Sequence, residues 1–232
     1  MLPATTGIAS RAVCRHPRPM IEPWPTFESK TLGDFRVFRV RQDSKRSPRT
    51  GQTHNFFVLE CPGWVNIIAL TPHRDIILVE QYRHGVQTIE LEVPGGVMDA
   101  DDASAIDTAV RELREETGFE GENAVVIGRV APNPAIQNNI ASTVLIENCV
   151  RRHEVEFDHT EDVVTRIEKV DALPLLVASG RIRHSLIIAA FYHFDLWRRG
   201  LAPNAPRHSP ASFAPPVSAQ GGQTSQEDCH AG

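Results

Sequence analysis

Three carboxylates fall close together in RELREETG (111–118). Glu112 and Glu116 are four residues apart and Glu112 and Glu115 are three apart, so on a helix all three crowd one side. Like charges at that spacing repel, and Glu115 and Glu116 fall in a last turn, where the helix dipole disfavours anions. A hard divalent cation such as Mg²⁺, which binds carboxylate oxygens, resolves this conflict. Arg111, four residues before Glu115, is placed to orient that carboxylate. An acidic helix face taken alone is more often a solvated surface. The preceding segment shifts the balance, because EVPGG (92–96) leads into the acidic loop DADD (99–102) and then into the helix. Gly95 and Gly96 allow close backbone approach and can present a carbonyl oxygen to a metal.

The helix that must carry these groups is well marked. Ser104 with Asp107 forms a capping box. Ile106, Ala109, Val110, Leu113 and Thr117 make one stripe at helical spacing, and Gly118 suits a left-handed C-cap. Upstream, FRVFRV (35–40) and NFFVLEC (55–61) read as strands joined by the basic loop QDSKRSPRTGQTH (42–54). WVNIIALT (64–71) and DIILVEQYR (75–83) read as a hairpin turning at Pro72-His73-Arg74, and TIELEVPGG (88–96) alternates until its Pro-Gly-Gly stop. Downstream, strands are expected at 124–130, 141–149 and 163–170, a short helix at 171–180 and a closing helix at 184–199. The pattern is α/β: a mixed domain preceded by a small antiparallel sheet.

The net charge of −5 argues against a nonspecific nucleic-acid partner, while a local metal or arginine cluster still permits a small anionic ligand. The four cysteines show no CxxC spacing, so free thiols at Cys61 and Cys149 are expected and a disulfide framework or zinc site is not. No apolar run is long enough to span a bilayer, and a cytoplasmic protein is expected. Residues 1–26 and the Pro/Ala/Ser/Gly/Gln-rich segment 201–232 are expected to be disordered extensions.

The segment GGVMDADDASAIDTAVRELREETGF (95–119) resembles the Nudix signature, most closely over RELREETGF. RTGQTHNFFVLECPGWVNIIALT, EQYRHGVQTIELEVPGG, PNPAIQNN and TEDVVTRIEKV extend the likeness to the ADP-ribose pyrophosphatase branch over roughly residues 30–195. It implies the Nudix α/β/α sandwich with a mixed sheet over residues 65–200, and an N-terminal β-sheet over 27–64 serving a homodimer. It also implies Mg²⁺ (or Mn²⁺) held by Glu112, Glu116 and the Gly96 carbonyl, with Glu115 as ligand or orienter and Arg111 holding the carboxylates. The box departs at one point: its loop is one residue longer, so the strict count for the first acid lands on Ala103, with an acid at Asp102 instead. No role is assigned to Asp102.

In this branch the general base resembles a glutamate on a loop after the box. The segment HEVEFDHTEDVV (153–164) offers Glu161 as first choice, with Glu154 and Glu156 open. Arg83 offers a planar fork to phosphate, and the resemblance places Arg83 and Glu92 along the cleft. Trp64 suits base stacking, core or dimer interface. Asn133, Pro134, Gln137 and Asn138 form either a recognition loop or an Asn-rich turn, and His184 reads as a helix-terminal or surface histidine. The resemblance implies hydrolysis of a nucleoside diphosphate sugar, foremost ADP-ribose to AMP and ribose 5-phosphate. The alternatives are other dinucleotides or nucleotide sugars (GDP-mannose, NADH, FAD). A sensor without catalysis is disfavoured by the complete set of carboxylates.

Overall fold

The computed structural model describes residues 21–157 and 162–202. The chain opens with an antiparallel sheet, β1 (Thr26–Asp34), β2 (Arg39–Arg46) and β3 (Thr53–Glu60), in that spatial order. Here the structure departs from the expected elements. Residues 26–34 form a strand, residues 35–38 a turn with Arg36 at φ 66, and QDSKR (42–46) continues β2. The polar composition of 42–46 hides a strand because its inward group is an acid. Asp43 is buried and accepts from Ser29 Oγ at 2.7 Å and Arg41 Nε at 2.8 Å. Paired charges there do what apolar alternation does in an ordinary strand.

The second sheet is mixed. Its strands are β4 (Trp64–Leu70), β5 (Asp75–Arg83), β6 (Thr88–Glu92), β7 (Phe119–Val130), β8 (Ala141–Arg151) and β9 (Val163–Lys169). They run in the order β6-β5-β4-β8-β7, with β9 added antiparallel along β5. The β4–β8 pair is parallel and the others are antiparallel. The helices are α1 (Ala105–Thr117), α2 (Leu173–Ala178) and α3 (Ser185–Arg198). Alternation along β4 divides the core. Val65, Ile67 and Ala69 pack with Ala109 and Leu113 of α1, whereas Ile68 and Leu70 pack with Ile187, Ala190, Phe194 and Trp197 of α3. Side chains at successive strand positions point to opposite faces, so one strand feeds both helical layers and the result is an α/β/α sandwich. Among the described residues no helix is long and apolar enough to cross a membrane.

Candidate active site

The acidic helix α1 is fixed at both ends. Ser104 caps it with extended backbone, its Oγ accepting from the Asp107 amide at 3.3 Å. Gly118 ends it at φ 72, donating to the Arg114 carbonyl at 2.8 Å. A Cβ at Gly118 would strike the His153 carbonyl, so glycine is required there for space as well as backbone.

The glycines before the helix meet its carboxylates. Glu116, 3% exposed, accepts from the Gly95 amide at 3.1 Å. Glu112 lies directly against Gly96, where any Cβ would overlap its carboxylate. The Gly96 carbonyl accepts from the Val65 amide at 2.9 Å, and a carbonyl oxygen has a second lone pair. Arg111 reaches Glu112 at 3.1 Å and Glu115 at 3.0 Å. It also contacts Asp99 at 3.3 Å and Asp102 at 2.9 Å. These contacts raise its pKa, the bond to Asp102 first.

Asp102 thus has a place that sequence reasoning did not assign. It ties Arg111, Thr108 Oγ1 (2.9 Å) and the Asp99 amide (3.0 Å) together. The Arg111 guanidinium is the main reason its carboxyl lies at about 2. The lengthened loop therefore ends on the arginine of the box.

The donor chemistry of this corner fits a hard divalent cation. Glu112, Glu115, Glu116 and the Gly96 carbonyl offer only oxygen, and the missing side chain at Gly96 is what lets the Glu112 carboxylate lie against that backbone. Among the described residues no three His, Cys, Asp or Glu side chains are gathered as a metal cluster, and Arg111 draws two of the carboxylates toward itself.

Next to this corner opens a cleft of about 810 Å³, lined in part by Val97, Trp64, Arg83, Glu92, Gln137 and His184. Arg83 binds Glu92 through Nη2 at 2.7 Å and Nε at 3.3 Å, and its guanidinium carbon lies 5.8 Å from the Trp64 ring centre. Glu92 is only 1% exposed. Burial pushes its carboxyl up, but His184 and Arg83 outweigh that and hold it below the ordinary value. Trp64 is half-buried at the cleft, its indole N–H donating to Asn66 at 3.0 Å. In the loop 133–139, Asn138 accepts from the Cys61 amide at 3.1 Å while Gln137 and Asn139 line the cleft.

His184 precedes α3, as its sequence position suggests, yet it faces the cleft, with Nδ1 3.1 Å from Glu92. Neighbouring Arg183, also on the cleft, was missed. It pairs with Glu90 across 93 residues of chain, a separation no local pattern reveals. Glu161 lies outside the described residues. Glu154 and Glu156 are exposed, and Glu156 pairs loosely with Arg114 at 3.7 Å.

Comparison with known proteins gives this geometry a family. Residues 63–191 match the NUDIX domain family. The chain is 29% identical to an ADP-ribose pyrophosphatase of Mycobacterium tuberculosis, over 71% of this chain and 79% of that protein. It is 32% identical to an ADP-sugar pyrophosphatase of Mus musculus (75% and 80% covered). It is also 27% identical to a methanol dehydrogenase activator of Bacillus methanolicus (73% and 94% covered). The crystal structure of an ADP compounds hydrolase shares the fold with a TM-score of 0.69 at 18% identity, covering 78% of this chain and 97% of that one. The chain belongs to the Nudix family, as a pyrophosphohydrolase of the ADP-ribose pyrophosphatase-like kind.

Proposed function

We propose that the protein hydrolyses the pyrophosphate of a nucleoside diphosphate sugar, with ADP-ribose split into AMP and ribose 5-phosphate. The observation that carries this reading is the junction at Gly96–Val97. Gly96 touches the Glu112 carboxylate, and Val97 lines the cleft that holds Arg83. Candidate oxygen ligands for a cation therefore stand one residue along the chain from the wall of the cleft that holds the Arg83 guanidinium. The pyrophosphatase relatives from the mycobacterium and the mouse support the substrate class.

Glu112, Glu116 and the Gly96 carbonyl would hold Mg²⁺ or Mn²⁺, with Glu115 as a further ligand or orienter. Such an ion neutralises phosphate charge and lowers the pKa of a bound water. Arg111 holds the carboxylates at the proper spacing through its contacts with Glu112 and Glu115. Arg83, kept in place by Glu92, donates to a phosphoryl oxygen as a planar fork. Glu161 is proposed as the base that takes the proton from the attacking water, a contribution of about 10² to 10⁴ in rate.

We further read residues 65–200 as the catalytic domain and 27–64 as a dimerisation sheet. Phe27, Leu32, Phe56 and Phe57 are exposed on that sheet, which supports a homodimer. Free thiols at Cys61 and Cys149 are in keeping with a cytoplasmic setting.

The test is product release from ADP-ribose, ADP-glucose, GDP-mannose, NADH and FAD, with and without Mg²⁺. Metal-dependent AMP from ADP-ribose is expected. Turnover of another member alone would move the substrate, and no turnover with retained binding would refute hydrolysis.

A further inference from the structure

The cleft wall formed by β6 holds two arginines on two buried acids. Glu92 anchors Arg83 at 2.7 Å. Two residues earlier, Glu90 is 5% exposed and anchors Arg183, accepting from Nε at 3.0 Å and from Nη2 at 2.6 Å. Thr88 Oγ1 accepts a further bond from Arg183 Nη2 at 2.8 Å. These bonds occupy Nε and Nη2 and leave Nη1 over. The Arg183 side chain remains 54% exposed and lines the cleft. A guanidinium tethered on one edge and open on the other is a pre-organised donor, because its planar fork is already oriented before a ligand arrives.

The spacing suggests what it meets. Glu90 and Glu92 are two positions apart on one strand, about 7 Å. Both side chains leave the same face of β6, so the two arginines they anchor line one cleft and can meet adjacent groups of a single ligand. Arg83 sits nearer the apolar part of the lining, over the Trp64 ring. Arg183 stands beside His184 and Ser185, a polar stretch of the same lining.

We infer that Arg183 determines specificity for the sugar beyond the pyrophosphate, donating to its hydroxyl oxygens while Arg83 takes the phosphates. The inference rests on the nucleoside diphosphate sugar reading above and adds the residue that distinguishes the two halves of the substrate. It makes Arg183 a binding group for the half that leaves as ribose 5-phosphate.

The two products separate the halves, so they are the probes. Ribose 5-phosphate and AMP are titrated by calorimetry into the full chain, into Arg183→Gln and into Arg183→Lys, which keeps a cation against Glu90. Ribose 5-phosphate affinity is expected to fall at least about tenfold in Arg183→Gln, the size of one charged hydrogen bond. A smaller fall is expected in Arg183→Lys, which loses the fork. AMP affinity should stay within about twofold in both variants, which also reports an intact cleft. Weakened AMP with unchanged ribose 5-phosphate would overturn the assignment, and so would unchanged binding of both. Failure of the wild-type protein to bind either product would overturn it too. The titrations require no turnover, so a wild-type protein that cleaves no nucleotide sugar refutes the hydrolase reading separately.

Discussion

Two sets of acids flank this site, and they are balanced in opposite ways. On β6 each acid has its own cation: Glu90 has Arg183, and Glu92 has Arg83 with His184 beside it. Around α1 a single guanidinium, that of Arg111, contacts Asp99, Asp102, Glu112 and Glu115, while Glu116 turns to a backbone amide. The β6 acids are therefore anchors, and their task is to hold arginines still. Four acids gathered on one guanidinium concentrate negative charge at that corner, a setting that suits a divalent cation. On the proposed reading the same residue type serves structure on one wall and chemistry on the other.

The sharpest way to break that contrast is Glu116→Gln. The amide oxygen keeps the bond to the Gly95 amide, so stability should change by less than about 1 kcal/mol. If Glu116 is the metal ligand proposed above, its loss should lower kcat by about 10² or more. Steady-state rates at saturating Mg²⁺, alongside thermal melting, check both halves of the expectation. Turnover near the wild-type level would remove Glu116 from the ligand set and leave α1 with a merely structural acid.

The converse change on the other wall is Glu92→Gln. It leaves Arg83 and His184 without their anion, yet both are partly solvated, which limits the penalty. A stability loss of about 1 to 2 kcal/mol by urea denaturation is expected. KM should rise by about tenfold with kcat little changed, because Arg83 loses its fixed orientation rather than its charge. A fall in kcat as deep as that of Glu116→Gln with stability unchanged would place Glu92 in the same class as the α1 acids and dissolve the distinction.

The two walls also differ in how far the sequence reveals them. The α1 site is local: Ser104, Gly118 and the carboxylate spacing all lie within a single helix and its caps, so helix period and capping chemistry expose it. The β6 wall is assembled from a distance. Arg183 meets Glu90 across 93 residues, and β9 joins β5 through pairs such as Asp75 with Lys169. Arg83 and Glu92 were reached through resemblance, whereas Arg183 and the cleft-facing side of His184 had no local signature. The polar strand at 42–46 was hidden for a related reason. Asp43 is satisfied by Ser29 and Arg41, and a strand whose inward group is a charge does not alternate as an apolar strand does. Asp102 shows the opposite case, an acid visible as a departure from the box whose partner, Arg111, appears only when the loop is folded back.

The smallest expected effect concerns pH, and it tests whether the β6 acids are anchors at all. The bond from Arg183, helped by Thr88, holds the Glu90 carboxyl at about 2, below its ordinary value of 4.5. A carboxyl whose pKa is depressed on folding stabilises the fold fully above its unfolded pKa, and that stability is lost as pH falls toward the folded value. Arg183 remains charged throughout, so only Glu90 titrates in this pair. The stability difference between the wild-type protein and Glu90→Gln should therefore be constant above about pH 5 and shrink steadily toward about pH 2. Because Arg183 is half exposed, solvent screening keeps the difference modest. Urea denaturation at stepped pH measures it directly. A gap that stays flat down to pH 2 would mean that the carboxylate charge of Glu90 contributes nothing to the wall. The anchor role would then fall to hydrogen bonds that glutamine makes equally well.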